Sequence, residues 1–304
     1  MNRTIHLLGV PSSAGAHWPG QEQAPAAMRE AGLTDRLALN AGGFHDRGDL
    51  ATRRWQVDRT PHDGHLVNNL DATVSVARDV AGEVAAALND GGFPVAIGGD
   101  CTITVGACAG VLEAGIDPVL IYVDGGWDLG TPATYPMGIL DSMGAANMLG
   151  VDGTTRLRGI GPRMPMLAHH QYIQFGHIPE APGSPERPII DELGLPSVPA
   201  SDIRGRGAMA AREALDRHLA PGQPWFLHFD VDVIDFFDFP VADVPEYDAA
   251  VPYADAIAAV DVFASDPRCM GMTVTEFNPD HAHPDGREAA MLARDLAGIL
   301  TARS

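Results

Sequence analysis

Apolar positions along the chain fall into two alternating patterns. Short, nearly continuous apolar runs occur at Thr4–Val10, Phe93–Ile97, Val119–Val123, Leu157–Ile160, Trp225–Phe229 and Met270–Thr275. Runs of this length with so few polar interruptions suit strands buried on both faces. Between them lie longer stretches with apolar side chains three and four apart. Asp71–Leu88 carries Val74, Ala77, Ala81, Val84 and Leu88 on one helical stripe, and Ala208–Leu219, Tyr253–Phe263 and Arg287–Leu300 repeat the spacing. Strands alternating with helices predict an α/β fold, a mostly parallel sheet covered on both faces. Ala51–His65 and His177–Ser201 are rich in Pro, Gly, Asp and Arg. Both read as surface excursions, since neither separates two complete cores, and residues 1–304 are read as one domain.

Composition narrows the functional classes. The chain carries 20 basic and 40 acidic residues, a formal charge of −20, and every basic residue is Arg. Phosphate backbones and anionic membranes need a basic face, so nucleic-acid and membrane partners are not expected, and a small-molecule substrate is. Without Lys there is no Schiff-base chemistry. No apolar run is long enough to span a bilayer, and the start of the chain lacks the features of a signal peptide, which makes the cytoplasm the expected location. Three cysteines, Cys101, Cys108 and Cys269, do not make a disulfide framework.

Acidic residues follow four of the apolar runs. Phe93–Ile97 leads through two glycines to Asp100 and Cys101. Val119–Val123 leads to Asp124 and Asp128, Trp225–Phe229 to Asp230, Asp232 and Asp235, and Met270–Thr275 to Glu276. One Asp at a strand end is commonly a turn or cap residue. Ligands of parallel sheets, however, bind outside the carboxyl ends of the strands, so acids after several strands converge on one pocket. Such carboxylates repel one another unless a cation, a proton or an Arg sits among them.

The same segments resemble a known family. Gly98-Gly99-Asp100-Cys101, Val123-Asp124-Gly125-Gly126-Trp127-Asp128, Phe229-Asp230-Val231-Asp232-Val233-Ile234-Asp235 and Glu276-Phe277-Asn278-Pro279 are similar, in order, to the signatures GGDH, DAHxD, SFDxDxxDP and ExNP of the ureohydrolases. That family comprises arginases, agmatinases and formiminoglutamases. The resemblance implies a three-layer α/β/α arginase-like fold, often assembled as a trimer or hexamer, so a homo-oligomer is expected. It also implies a centre of two manganese ions held by two His and four Asp, where hydroxide attacks a guanidinium carbon. Carried over by motif position, the Asp ligands are Asp124, Asp128, Asp230 and Asp232. Cys101 and Gly126 stand where the family has its two His ligands, Asp141 where it has a proton-shuttling His, and Glu276 where a Glu pairs with the guanidinium.

These departures set further expectations. Gly126 has no donor atom, and Cys101 as thiolate would soften its position toward zinc. Counting ligands at motif positions argues against a complete two-manganese centre and for no cofactor, or a single Mn, Mg or Zn ion held by Cys101, Asp124, Asp128, Asp230 and Asp232. The positions that bind amino-acid substrates in the family match Gly130, Met137 and Ile139, none of them charged. With Trp127, Tyr135 and Phe236 nearby, Trp127, Tyr135, Met137, Ile139 and Phe236 become candidate substrate contacts, and a bulkier, less polar substrate than arginine is expected. Arg163, after Gly161-Pro162, is a candidate counter-charge for the aspartates. His228, two residues before Asp230, points to its side of the strand but reads as a core imidazole. His281 and His283 lie within chain reach of Glu276.

Three readings follow. In the first, a divergent enzyme uses Asp124, Asp141, Asp232 and Glu276 as acids and bases for dehydration, cyclisation, isomerisation or hydrolysis, a repurposing that suits secondary metabolism. In the second, a hydrolase of a guanidine, amidine or amide C–N bond works through a metal site rebuilt around Cys101. The third is a non-catalytic ligand-binding homologue.

Overall fold

The computed structural model of the protein describes residues 3–302. Eight strands form one parallel sheet in the order β2-β1-β5-β10-β9-β6-β7-β8, and β3 and β4 form a separate antiparallel hairpin. In chain order the strands are β1 Ile5–Gly9, β2 Phe44–Asp49, β3 Arg59–His62, β4 His65–Asn68, β5 Phe93–Ile97, β6 Val119–Val123, β7 Tyr172–Phe175, β8 Ser197–Val198, β9 Trp225–Asp230 and β10 Cys269–Thr275. The strands β5, β10, β9 and β6 occupy the middle of the sheet, and each carries acidic residues at or just after its carboxyl end.

Helices cover both faces. Ala24–Glu30, Leu33–Asn40, Gly207–His218, Tyr253–Ser265 and Arg287–Ala302 pack on one side, where Phe229, Val231, Phe263 and Leu296 are buried in one apolar layer. Leu70–Asn89, Thr102–Glu113 and Gly144–Leu149 pack on the other, against Leu8, Ala96, Tyr122 and Phe226. Glycines let the second pair of helices close tightly: a Cβ on Gly106 or Gly110 of Thr102–Glu113 would lie 2.3 or 2.4 Å from a carbonyl of Leu70–Asn89. This is the three-layer α/β architecture that the alternating pattern predicts. No helix among the described residues is long and apolar enough to cross a membrane.

Two expectations about elements are corrected. Leu157–Ile160 is not a strand. Arg156–Gly159 forms a 3-10 turn, with the Thr155 hydroxyl accepting from Leu157 N at 3.3 Å, and Arg158 is not fully buried while Leu157 is. The seventh strand of the chain is Tyr172–Phe175 instead, buried at every position, with its polar Gln174 held by the Tyr172 hydroxyl and by backbone carbonyls. The excursion His177–Ser201 also contains a helix, Arg187–Leu193, and the short edge strand β8.

Candidate active site

After β5 the chain turns through Gly98 and Gly99, whose φ values of 98° and 83° exclude most side chains, and enters the helix Thr102–Glu113. Asp100 is buried in this turn. It accepts from Gly15 N at 2.9 Å, from Thr102 N at 3.0 Å and from the Thr102 hydroxyl, and so fastens the Pro11–Gly20 loop to the sheet. Cys101, next along, sits above the strand ends. Its Sγ lies 2.6 Å from Asp230 Oδ2, 3.4 Å from Thr275 Oγ1, 3.5 Å from His228 Nε2 and 3.9 Å from Asp124 Oδ2, and its amide donates to Asp141 Oδ1 at 2.7 Å.

His228 is fully buried within β9. Its ring stacks on Tyr122 at 3.9 Å between centroids, and its Nε2 is 3.5 Å from Asp124 Oδ2. The Nδ1 side faces Thr104 Oγ1 at 2.7 Å and Thr273 Oγ1 at 3.2 Å, and the two hydroxyls are 2.8 Å apart. Burial pushes this imidazole down to about 3, so it is neutral at physiological pH and keeps one nitrogen lone pair. With Nδ1–H donated to the threonines, that lone pair is on Nε2, facing Cys101, Asp124 and Asp230. Alternation along β9 puts His228 and Asp230 on one side, so the signal was present in the sequence.

Donor atoms gather in two groups that share Cys101. One atom each from Cys101, Asp124, His228 and Asp230 lie within 4.8 Å of one another, and so do those from Cys101, Asp141 and Glu276. Glu276 Oε2 accepts from Gln21 Nε2, while its Oε1 is buried without a hydrogen-bond partner. Asp128 accepts from the Tyr122 hydroxyl at 2.5 Å and Asp232 from Gly125 N at 3.1 Å. Asp128 and Glu276 hold positive φ values of 51° and 66°, unusual for residues with a side chain and a form of backbone strain that clusters at functional sites. Burial pushes Asp124, Asp128, Asp141, Asp230 and Glu276 well above the usual carboxylate range, and neighbouring carboxylates add to it. Burial brings Asp232 up to about 6. The Cys101 thiol is raised by burial first, and then by Asp230 and the other acids.

A cavity of about 220 Å³ opens onto this cluster, and Cys101, Asp128, Asp141, Asp230 and Asp232 line it. Of the candidate substrate contacts, Trp127 and Tyr135 line it as well. Met137 and Ile139 line a neighbouring cleft, and Phe236 packs against Tyr247 at 5.6 Å and lines neither. Three glutamates that also line it, Glu180, Glu186 and Glu246, together with His17, carried no sequence signal, because they lie on loops without a motif. Burial raises Glu186 to about 8.

Arg163 does not neutralise the aspartates. It pairs with Asp117 at 2.5 Å and donates to Met166 O and Gln171. Among the described residues no Arg lines the cavity. His281 reaches the edge of the Glu276 region through Asp243, at 3.6 Å, whereas His283 pairs with Asp285.

The expectation of no cofactor, or of one divalent ion, does not stand. It counted donors at motif positions alone, and His228 supplies an imidazole from within β9. The two donor groups and the orphaned Glu276 oxygen fit more than one cation.

Comparison with known proteins agrees with the geometry. The chain is 27% identical to an arginase from Brevibacillus brevis over 304 residues, which is 98% of this chain and 99% of that one. It is 27% identical to mouse arginase-1 over 288 residues, 91% of this chain and 85% of that one. Its fold superposes on the arginase of Bacillus caldovelox with a TM-score of 0.84 at 23% identity, covering 99% and 98% of the two chains. It also superposes on a Trypanosoma cruzi formiminoglutamase described with Mn2+2, with a TM-score of 0.73 at 20% identity over 99% and 94%. Residues 3–301 match the arginase family profile, so a chain whose strand-end acids, glycine turn and sheet order already pointed there belongs to the arginase family.

Proposed function

We propose that the protein is a metal-dependent hydrolase of a C–N bond in a guanidine or amidine that carries no α-carboxylate. The observation that carries this reading is the packing of the Cys101, Asp124, His228 and Asp230 donor atoms within 4.8 Å, an imidazole and a thiol among buried carboxylates. Those four residues would hold one cation, and Cys101, Asp141 and Glu276 a second. Cations bound there would supply Lewis acidity and offset the charge of the acids.

The remaining steps fall to the chain's own side chains. Asp128 and Asp232 face the cavity, and a positively charged guanidinium or amidinium is the group their carboxylates attract. Asp232, which lines the cavity, is the side chain this reading assigns to protonate the departing nitrogen. Tyr122 fixes Asp128 through its hydroxyl, and Trp127 and Tyr135 add aromatic surface to the lining. Glu180 and Glu246 in the lining disfavour an α-carboxylate, and Gly130, Met137 and Ile139 offer no charged or hydroxyl side chain to hold one. This supports a substrate other than arginine.

The test is hydrolysis by the Mn2+-loaded protein of butylguanidine against arginine. A kcat/KM at least about tenfold higher for butylguanidine is expected, the scale on which an unpaired buried charge discriminates. Preference for arginine refutes the substrate assignment. Cation binding without turnover of any guanidine, amidine or amide leaves a ligand-binding role.

A further inference from the structure

Next to the acidic cavity lies a larger cleft of about 540 Å³, walled by Trp18, Trp55, Val57, Pro136, Met137 and Ile139. His17 lines both spaces, so the cleft begins where the acidic cavity ends. We propose that this cleft binds a neutral aromatic tail of the substrate whose cationic head enters the acidic cavity, an inference that rests on the hydrolase reading above.

Three features support it. First, the walls are apolar and available: Trp18, Val57 and Met137 are 61%, 86% and 62% exposed, a clustering of large apolar side chains that single surface residues do not explain. Second, the indole Nε1 of Trp55, a residue that lines the cleft, is buried with no acceptor among the described residues, a donor that a carbonyl or ether oxygen on the tail would satisfy. Third, the cleft is preformed. Trp55 N donates to Ser13 Oγ at 2.9 Å, and Asn68 N donates to Gly138 O at 2.8 Å, which ties the β3–β4 hairpin to the 136–139 loop. Gly138, at φ 72°, allows this approach, since a Cβ there would sit 2.2 Å from Leu66 O.

Charge selects the kind of tail. Among the described residues no carboxylate lines the cleft, and Arg59 does, so a second cationic group is disfavoured here although it would suit the glutamates of the other cavity. Paired tryptophans with aliphatic neighbours suit a ring on a short chain.

Isothermal titration of the Mn2+-loaded full chain with 4-phenylbutylguanidine and with butylguanidine tests the proposal. The phenyl compound is expected to bind about tenfold tighter, the discrimination one well-filled apolar pocket supplies. Trp18→Ala and Met137→Ser, at exposed positions that do not threaten the fold, should each bring the affinity ratio of the two compounds below about threefold. Equal affinities for the parent protein overturn the proposal. So do variants that change the sedimentation mass and leave the ratio intact, because the cleft is then covered by a second copy of the chain. A third probe, 4-phenylbutan-1-ol, lacks the cationic head. If it binds, and Trp18→Ala abolishes the binding, while butylguanidine does not bind, the cleft stands and the hydrolase reading fails.

Discussion

Replacing Thr104 by Val removes one hydroxyl and keeps the volume, and it tests whether His228 is a metal ligand without touching any donor atom. In the folded protein Thr104 Oγ1 is 2.7 Å from His228 Nδ1 and 2.8 Å from Thr273 Oγ1. Losing it leaves Nδ1 with Thr273 alone, at 3.2 Å. A ligating imidazole is oriented, and made more basic, by the partner of its other nitrogen, and loss of such partners weakens metal binding by about 10–100-fold. Because Thr273 remains, the single variant belongs at the low end, about tenfold or roughly 1.4 kcal/mol in binding. Thr104→Val with Thr273→Val strips both acceptors and belongs at the high end, about 100-fold. Folding stability should fall by about 1–3 kcal/mol in the double variant, the cost of an unsatisfied buried donor. The assay is competition between metal-stripped protein and a chromogenic chelator for Mn2+ and Zn2+, with circular dichroism to confirm the fold. Affinities within twofold of the parent in the folded double variant would falsify the assignment of His228 as a ligand, whatever the activity did.

Other predictions test the same site from other sides. Gly126→His should tighten Mn2+ binding, because the backbone there is not left-handed and a Cβ would meet only Asp124 Oδ1 at 3.4 Å and Asp128 Oδ1 at 3.8 Å; weaker binding, read by the same competition, would count against room for a donor at that position. Cys101→Ser should weaken Zn2+ more than Mn2+, since thiolate favours the softer ion, and an equal loss for both ions would show that the sulfur does not ligate. The metal-free protein should melt at lower temperature as pH rises from about 4 to 8. Its carboxyls are raised in the folded state, Asp232 to about 6 and Glu186 to about 8, so the folded chain binds more protons than the unfolded one and loses stability as they leave. Saturating Mn2+ should flatten that slope in a thermal-shift series. A melting temperature that climbs with pH in the chelated protein contradicts the burial of these acids.

Periodicity and burial made the scaffold legible. The helix expected at Asp71–Leu88 spans Leu70–Asn89, and the one expected at Ala208–Leu219 spans Gly207–His218, because each carries an apolar stripe on a polar background. Strands at the sheet edge were opaque. Strand β2, Phe44–Asp49, contains His45, Asp46, Arg47 and Asp49 and buries no residue fully, so no apolar run marks it. Strand β7 hides a Gln within four buried residues, while Leu157–Ile160, which contains Arg158 and Gly159, is bent by a capping Thr into a turn. At the site, acids at strand ends were legible because the end of a strand is a position in sequence. Glu180, Glu186 and Glu246 reach the cavity along loops, and no local pattern encodes where a loop brings its side chains.

The misjudged cofactor has one cause. Motif positions fix where a donor begins along the chain, whereas a metal responds to where donor atoms end. Cys101, Asp124, Asp230 and Glu276 come from the ends of β5, β6, β9 and β10, which are neighbours in the sheet, so the donors converge whichever strand supplies each one. On the proposed reading, an imidazole missing from the loop after β6 is replaceable by one rising from β9, and His228 lies two residues below the rim, about 6–7 Å along the strand. The exchange has a physical consequence. A ligand inside a strand buried on both faces, stacked on Tyr122 and held by two threonines, is more rigid than one on a loop, and Gly126 leaves the space above Asp124 and Asp128 open. The acids themselves favour a cation site. Several carboxylates in a dry cluster, without an Arg among the described lining residues, cost stability unless protons or metal ions neutralise them. Apolar residues of similar size would have relieved that cost, and the chain instead keeps the acids around a thiol and a neutral imidazole, a donor set that suits a divalent ion.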